Sequence, residues 1–232
     1  DCCSASLVAL HVAARALRQL ECETYVTAGV NIMLLPAYHL ATAAAGMTSA
    51  KGRAHTFDSR ADGFLRAEAC CALTFEADQS DAAKVLSSSS VRQDGKSASL
   101  TAPNGQAQRA LLRAALIDAG VTPVALARAE AHGTGTKLGD PIEAGALADA
   151  VLSQRDKGRI ALAVGSVKAN SGHAETAAGL TGTVLLLGGM LRRQLAPNAQ
   201  LRRLNPHVEI ALGGVTCALP TGLAQMEVGG LG

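Results

Sequence analysis

Short apolar strands that run into Gly-rich turns and then into Ala/Leu-rich helices recur through the second half of the chain, and this alternation restricts the fold more than any other feature. Leu126 to Ala131 and Ile160 to Ser166 read as strands, each followed by a turn of Gly, Thr, Asn or Ser. Asp140-Pro141 opens a helix running to about Leu152, with the proline near its first position, and Ala174 to Arg193 is a long Ala/Leu helix. Such units predict an α/β fold. The first half follows the same scheme more loosely. Ser4 to Glu21 carries Leu7, Leu10, Ala14 and Leu17 at helical spacing, and Gln106 to Gly120 is helical with a glycine at its end. Glu23 to Val30 reads as a buried strand and Cys70 to Phe75 as another strand. Asn31 to Ala45 is apolar but irregular, and Lys51 to Asp62 is turn-like. Ser87 to Gly105 reads as loop with a short strand near Ser97 to Leu100, and Asn198 to Gly232 as mostly extended or irregular. No repeat of fixed period and no linker divides the chain.

Composition excludes several classes. A chain of 232 residues has room for one large or two small domains. Ala and Gly make up about 30% of it, well above ordinary usage, which suits helices laid closely on sheets. The 21 Lys and Arg against 19 Asp and Glu leave a net charge of +2. With scattered basic residues and Phe57, Phe64, Phe75, Tyr25 and Tyr38 as the aromatics, a nucleic-acid binder is not expected. The apolar stretches Leu7 to Ala16 and Leu180 to Leu191 fall short of the ~20 residues a bilayer requires, so no membrane span is expected. Cysteines 2, 3, 22, 70, 71 and 217 fit neither a disulfide framework nor C-x-x-C metal spacing, so a reduced, intracellular setting is expected, with cytoplasm and plastid both open. The chain begins at Asp1 rather than Met, and we expect it to be a piece of something longer.

Three junctions could carry chemistry. Cys3 stands where the first helix begins, a position at which the helix dipole favours a thiolate; an inert buried thiol is the other reading, and Cys2 is expected to face the core. His132 lies in Glu130-Ala131-His132-Gly133-Thr134-Gly135-Thr136, where glycines admit close approach of a ligand and both threonine hydroxyls could bond an amide-bearing chain; a tight turn with a solvated His reads equally well. His173 ends Lys168-Ala169-Asn170-Ser171-Gly172-His173. It is either a helix cap or an imidazole that Lys168 biases toward neutral. A cysteine protease would need a His base and an Asn or Asp orienter, and zinc a fourth ligand at tighter spacing. Two His on separate Gly-rich loops suit donation to a developing oxyanion.

Taken together, C-S-A-S-L-V-A-L from Cys3, E-A-H-G-T-G-T-K-L-G-D-P-I-E at 130–143 and G-S-V-K-A-N-S-G-H-A-E-T-A-A-G at 165–179 resemble the three signatures of β-ketoacyl synthases. The nearest flavour is the ketosynthase domain of type I or modular polyketide synthases, and F-D-S-R-A-D-G-F at 57–64 and L-T-A-P-N-G at 100–105 match as well. The resemblance implies a thiolase-like fold, layered αβαβα, formed of two similar halves in a homodimer. It implies that Cys3 takes an acyl group from an acyl carrier protein. His132 and His173 would then bind a malonyl-type extender, assist its decarboxylation and stabilise the enolate. Lys168 would support the His173 site, and Thr134 and Thr136 would contact the phosphopantetheine arm of the carrier. The domain itself is expected to bind no cofactor or metal. The alternative is a non-condensing partner, such as a scaffold protein of the same fold, against which the retained Cys3, His132 and His173 argue.

Departures from the family pattern are Asp1-Cys2 where Thr-Ala is frequent, Ala5 for Ser, Ser171 for an apolar residue, and Ala67-Glu68-Ala69 for G-E-G, where any positive φ would be strained. Val228 to Gly232 resembles the start of the family's glycine-rich oxyanion loop. Residues 1–232 are therefore expected to be a partial ketosynthase domain, lacking the family's N-terminal part and inactive when isolated.

Overall fold

In the computed structural model the described residues are 2–77, 84–97, 102–155, 160–215 and 217–225. The strand expected near 97–100, the orientation of the Cys2 side chain, and the glycine-rich segment 228–232 lie outside them.

After a 3₁₀ turn at Cys2–Ser4, helix α1 (Ala5–Arg18) buries Ser6, Leu10 and Ala14, a stripe at four-residue spacing. Strand β1 (Thr24–Asn31) pairs antiparallel with β2 (Ala69–Glu76), from Thr24 opposite Glu76 to Asn31 opposite Ala69. Tyr25 and Phe75 stack across the pair with centroids 4.9 Å apart. One face of the pair lies on α1 and on α6 (Ala178–Arg192); the other leaves Val26 and Val30 exposed, so Glu23 to Val30 is not the buried strand the sequence predicts but is covered on one face only. Small residues make the approach possible. A Cβ on Gly29 would stand 2.9 Å from the Ser6 Cβ, and one on Gly179 would stand 2.4 Å from the Leu7 Cγ.

Helix α6 also packs against β3 (Arg128–Glu130), the edge of a parallel sheet ordered β3-β4-β6, with β4 at Leu162–Gly165 and β6 at Cys217–Ala218. Parallel neighbours need crossover connections, and α4 (Gly139–Ala150) lies in the connection from β3 to β4. The sheet's other side carries the main core. There Leu147, Val151, Leu152, Leu162, Val164, Val208 and Phe57 cluster between the strands, α4 and α7 (Pro206–Leu212), and α3 (Gly105–Ala119) packs on α4. Each such aliphatic side chain contributes about 1.5–3 kcal/mol on burial. The layers thus run β1–β2, α1 with α6, β3-β4-β6, then α4 with α3 and α7, as an α/β chain predicts. A short antiparallel pair, β5 (Gln194–Leu195) with β7 (Ala224–Gln225), follows α6.

Two stretches depart from the sequence reading. Asn31 to Ala45 is not irregular throughout, because Pro36 opens α2 (Pro36–Ala44). Likewise α7 interrupts the extended C-terminal stretch: Asn205 Oδ1 accepts from His207 N at 2.9 Å, Pro206 takes the first position, and Gly213 closes the helix at φ 59°. In both, a proline that reads as a breaker begins a helix. The long helix expected from Ala174 starts later, after a separate 3₁₀ turn at Glu175–Ala177. Ala67 and Ala69 adopt no positive φ, so no strain arises there.

Candidate active site

Cys3 is half-buried in the turn that feeds α1, as the helix-start reading places it, so the helix dipole favours negative charge on its sulfur. The Nε2 of His173 stands 3.2 Å from Sγ. His173 follows the single-turn helix α5 (Lys168–Ser171) and Gly172, and its backbone is tied on both sides: N donates to Leu65 O at 2.6 Å and O accepts from Ala67 N at 2.9 Å. The ring is 1% exposed, with Phe64 packed against it at a centroid distance of 5.2 Å. Its Nδ1 accepts the backbone N–H of Glu175 at 3.2 Å. A neutral imidazole that accepts at Nδ1 carries its proton on Nε2. His173 therefore donates toward Cys3.

His132 follows β3, and its ring meets that of His173 edge-on at 5.4 Å between centroids. Part of the residue's surface is open to solvent, while the protein packed around the rest of it desolvates the imidazole, and the loop beneath it is fixed. Glu143, in the first turns of α4, accepts from His132 N at 2.6 Å and from Gly133 N at 2.8 Å, one carboxylate oxygen for each. Gly133 adopts φ 48° and Gly135 φ 75°; a Cβ on either would fall within 2.7 Å of Ser166 or of the His55 backbone, so the H-G-T-G turn requires both glycines. Asp140 is buried and accepts from Phe57 N at 2.8 Å and Gly135 N at 3.1 Å, joining the 54–58 loop to the His132 turn. Burial pushes its carboxyl up to about 7, against these two donors.

Lys168 is 4% exposed at the end of the turn after β4. Burial pulls its pKa down, while the negative charges of Glu143, Glu130 and Cys3 pull it up. Burial, then Lys168 and the His132 ring, hold His173 down at about 3. Burial and Lys168 also lower His132, with Glu143 opposing. Both imidazoles are neutral near pH 7. Glu130 completes the surround: it pairs with Arg128 at 3.1 Å and accepts from Val167 N at the start of the Lys168 turn.

Cys3, His132, His173 and Lys168 thus come together. Thr134 is buried beside them, its hydroxyl 3.4 Å from that of Thr136, and the Thr136 hydroxyl accepts from Gly139 N at 3.1 Å, holding the start of α4. Sequence reasoning gave no role to Glu143, Asp140 or Glu175. Glu143 was within reach: D-P-I-E places its carboxylate one turn from a helix start, facing a glycine turn rich in free N–H groups. Among the described residues, no group of three or more His, Cys, Asp or Glu is disposed to hold a metal ion.

Comparison with known proteins identifies the family. Residues 2–80 match the N-terminal domain and residues 83–202 the C-terminal domain of the β-ketoacyl synthase family models. One protein of the phenolphthiocerol/phthiocerol polyketide synthase of Mycobacterium tuberculosis is 42% identical over 212 residues, covering 89% of this chain and 11% of that protein. Erythronolide synthase EryA2 of Saccharopolyspora erythraea is 39% identical over 219 residues, covering 92% and 6%. Among solved structures, the oxazolomycin ketosynthase domain OzmH KS7 of Streptomyces albus superposes with a TM-score of 0.90 at 37% identity, over 97% of this chain and 39% of that one. A ketosynthase of the bacillaene synthase of Bacillus subtilis gives 0.87 at 33% identity, over 97% and 41%. The chain therefore spans a small part of the curated relatives and about two fifths of the solved ketosynthases. With its thiolase-like fold, its Cys–His–His constellation and both family domains matched along its length, the chain belongs to the β-ketoacyl synthase family.

Proposed function

We propose that the protein carrying this chain is a condensing ketosynthase of a modular polyketide synthase. The Cys3 thiolate attacks the carbonyl of an acyl thioester presented on the phosphopantetheine arm of an acyl carrier protein. The arm leaves as its thiolate, which takes up a proton from solvent, and the acyl group stays on the Cys3 sulfur. A malonyl-type thioester then enters. Its C–C bond to the carboxylate breaks, CO2 departs, and the electron pair moves onto the thioester oxygen as an enolate. The Nε2–H groups of His173 and His132 are placed to donate to that oxygen, where charge grows only as the bond breaks. The enolate carbon attacks the Cys3-bound carbonyl, and collapse expels Cys3 as thiolate, leaving a β-ketoacyl thioester.

The observation that carries this reading is the Nε2 of His173, protonated because Nδ1 is occupied and set 3.2 Å from the Cys3 sulfur. It supports a donor to anions rather than a base, as decarboxylation without proton abstraction needs. The exposed β1–β2 face supports a further expectation, that these 232 residues expressed alone give no condensation. Cys3, Cys22, Cys70, Cys71 and Cys217 form no disulfides, which supports a reducing, intracellular setting. Among the described residues no helix is long and apolar enough to cross a membrane.

Intact mass measurement tests the assignment. Incubated with an acyl-pantetheine thioester, the full-length protein gains one acyl mass on the peptide containing Cys3, and Cys3→Ala gains none. Equal acylation of both proteins would refute the nucleophile.

A further inference from the structure

Arg66 and Glu175 form an ion pair with Nε 2.5 Å from Oε1 and side chains only 5% and 9% exposed. The guanidinium also lies over the Tyr38 ring, its Cζ 4.5 Å from the centroid. Both partners are bound to His173 through the backbone. Residues 65 and 67, flanking Arg66, hold the His173 N–H and C=O. Glu175 supplies the N–H that occupies Nδ1. Glu175 does so from φ 40°, a left-handed conformation that disfavours any residue with a Cβ. Something must hold it there, and its carboxylate, anchored on the buried guanidinium, is the strong attachment that can.

We infer that the Arg66–Glu175 pair is a positioning device for His173. By fixing the Glu175 side chain it keeps residue 175 left-handed, which aims its N–H at Nδ1 and leaves the Nε2 proton facing Cys3. The tautomer is a property of the structure itself; only its effect on rate rests on the condensing function proposed above. A buried pair with a purely structural role would be indifferent to the backbone preference of residue 175, and replacing both its charges together leaves no charge unpaired.

The test uses the full-length protein with both charges removed and only the backbone preference varied: Arg66→Met with Glu175→Ala, against Arg66→Met with Glu175→Gly. Glycine takes positive φ freely; alanine does not. Decarboxylation of a malonyl thioester is expected to be about tenfold slower in the Ala pair than in the Gly pair, the rate equivalent of the left-handed penalty. The fall is expected in kcat with KM little changed. The ¹⁵N shifts of the His173 ring are expected to show Nε2–H alone in the parent and the Gly pair, and both tautomers in the Ala pair. Equal rates and a common tautomer in the two double variants would overturn the inference. If either double variant fails to fold, Arg66→Lys and Arg66→Met alone are compared. The lysine, which keeps the pair, is expected to retain the tautomer and the methionine to mix it; identical rings overturn the inference. Absence of any decarboxylation by the parent would refute the proposed function, and the ring tautomers would still decide this point.

Discussion

The two imidazoles of the site are built in opposite ways. His173 is buried, tied at both backbone groups, and locked in one tautomer by a single N–H. His132 stands on a glycine turn with part of its surface open to solvent, and its geometry is set beneath the ring, by Glu143 across two successive backbone N–H groups. One imidazole is fixed at its ring, the other through its loop. Burial first, and then the charge of Lys168, lowers both below the ordinary imidazole value. The contrast teaches that a family signature repeats a residue type while the fold fixes each copy by different means, so the two His should respond differently to the same kind of change.

The largest effect is expected at the rigid copy. His173→Ala should slow malonyl decarboxylation by roughly 10²–10³-fold, the usual loss for one oxyanion donor, measured as CO2 release by the full-length protein. A loss below tenfold would remove His173 from the donor role. At His132, which keeps part of its surface open to solvent, truncation should remove about 10²-fold or less. Glu143→Gln comes next, with a loss of roughly tenfold, in the range seen when an orienting partner is removed. This loss should vanish in a His132→Ala background, because Glu143 acts through that loop. Additive losses in the double variant would show that Glu143 works elsewhere.

The last effect falls on stability rather than on rate. The folded-state pKa of His173, about 3, lies below its unfolded value near 6.5. Between those values the unfolded chain binds the extra proton, so stability is present above pH 6.5 and falls as pH drops toward 3, by up to about 1.4 kcal/mol per pH unit. His173→Gln should flatten the melting temperature against pH between 6.5 and 4. Asp140, raised to about 7, has the opposite sign: its contribution is present below about pH 4 and is lost as pH rises through 7. An unchanged acid slope in His173→Gln would place the proton uptake elsewhere.

Much of this was legible in the sequence for a physical reason. The α/β layering follows from alternating periodicities, and Cys3, His132 and His173 stand at strand or helix ends, each His beside a glycine, where local composition reveals a turn built for close approach. The influence of Lys168 on His173 was readable from their five-residue spacing. What was not legible depends on long-range contact. Arg66 and Glu175 are 109 positions apart, and nothing local says that they meet or that Glu175 turns left-handed. Glu143 reaches back 11 residues to the His132 N–H, a distance only the fold closes. Helices α2 and α7 were missed because Pro36 and Pro206 look like breakers until the chain on their C-terminal side is seen to wind.

Condensation as proposed requires one pocket in which a sulfur-bound acyl group meets an enolate held by two neutral imidazoles. The most direct measurement loads Cys3 of the full-length protein with an acyl group and then supplies carboxyl-labelled malonyl thioester in a single turnover. The prediction is one labelled CO2 and one β-ketoacyl thioester for each acyl group lost from Cys3. Labelled CO2 released without a new carbon–carbon bond, while the acyl group stays on sulfur, would contradict it.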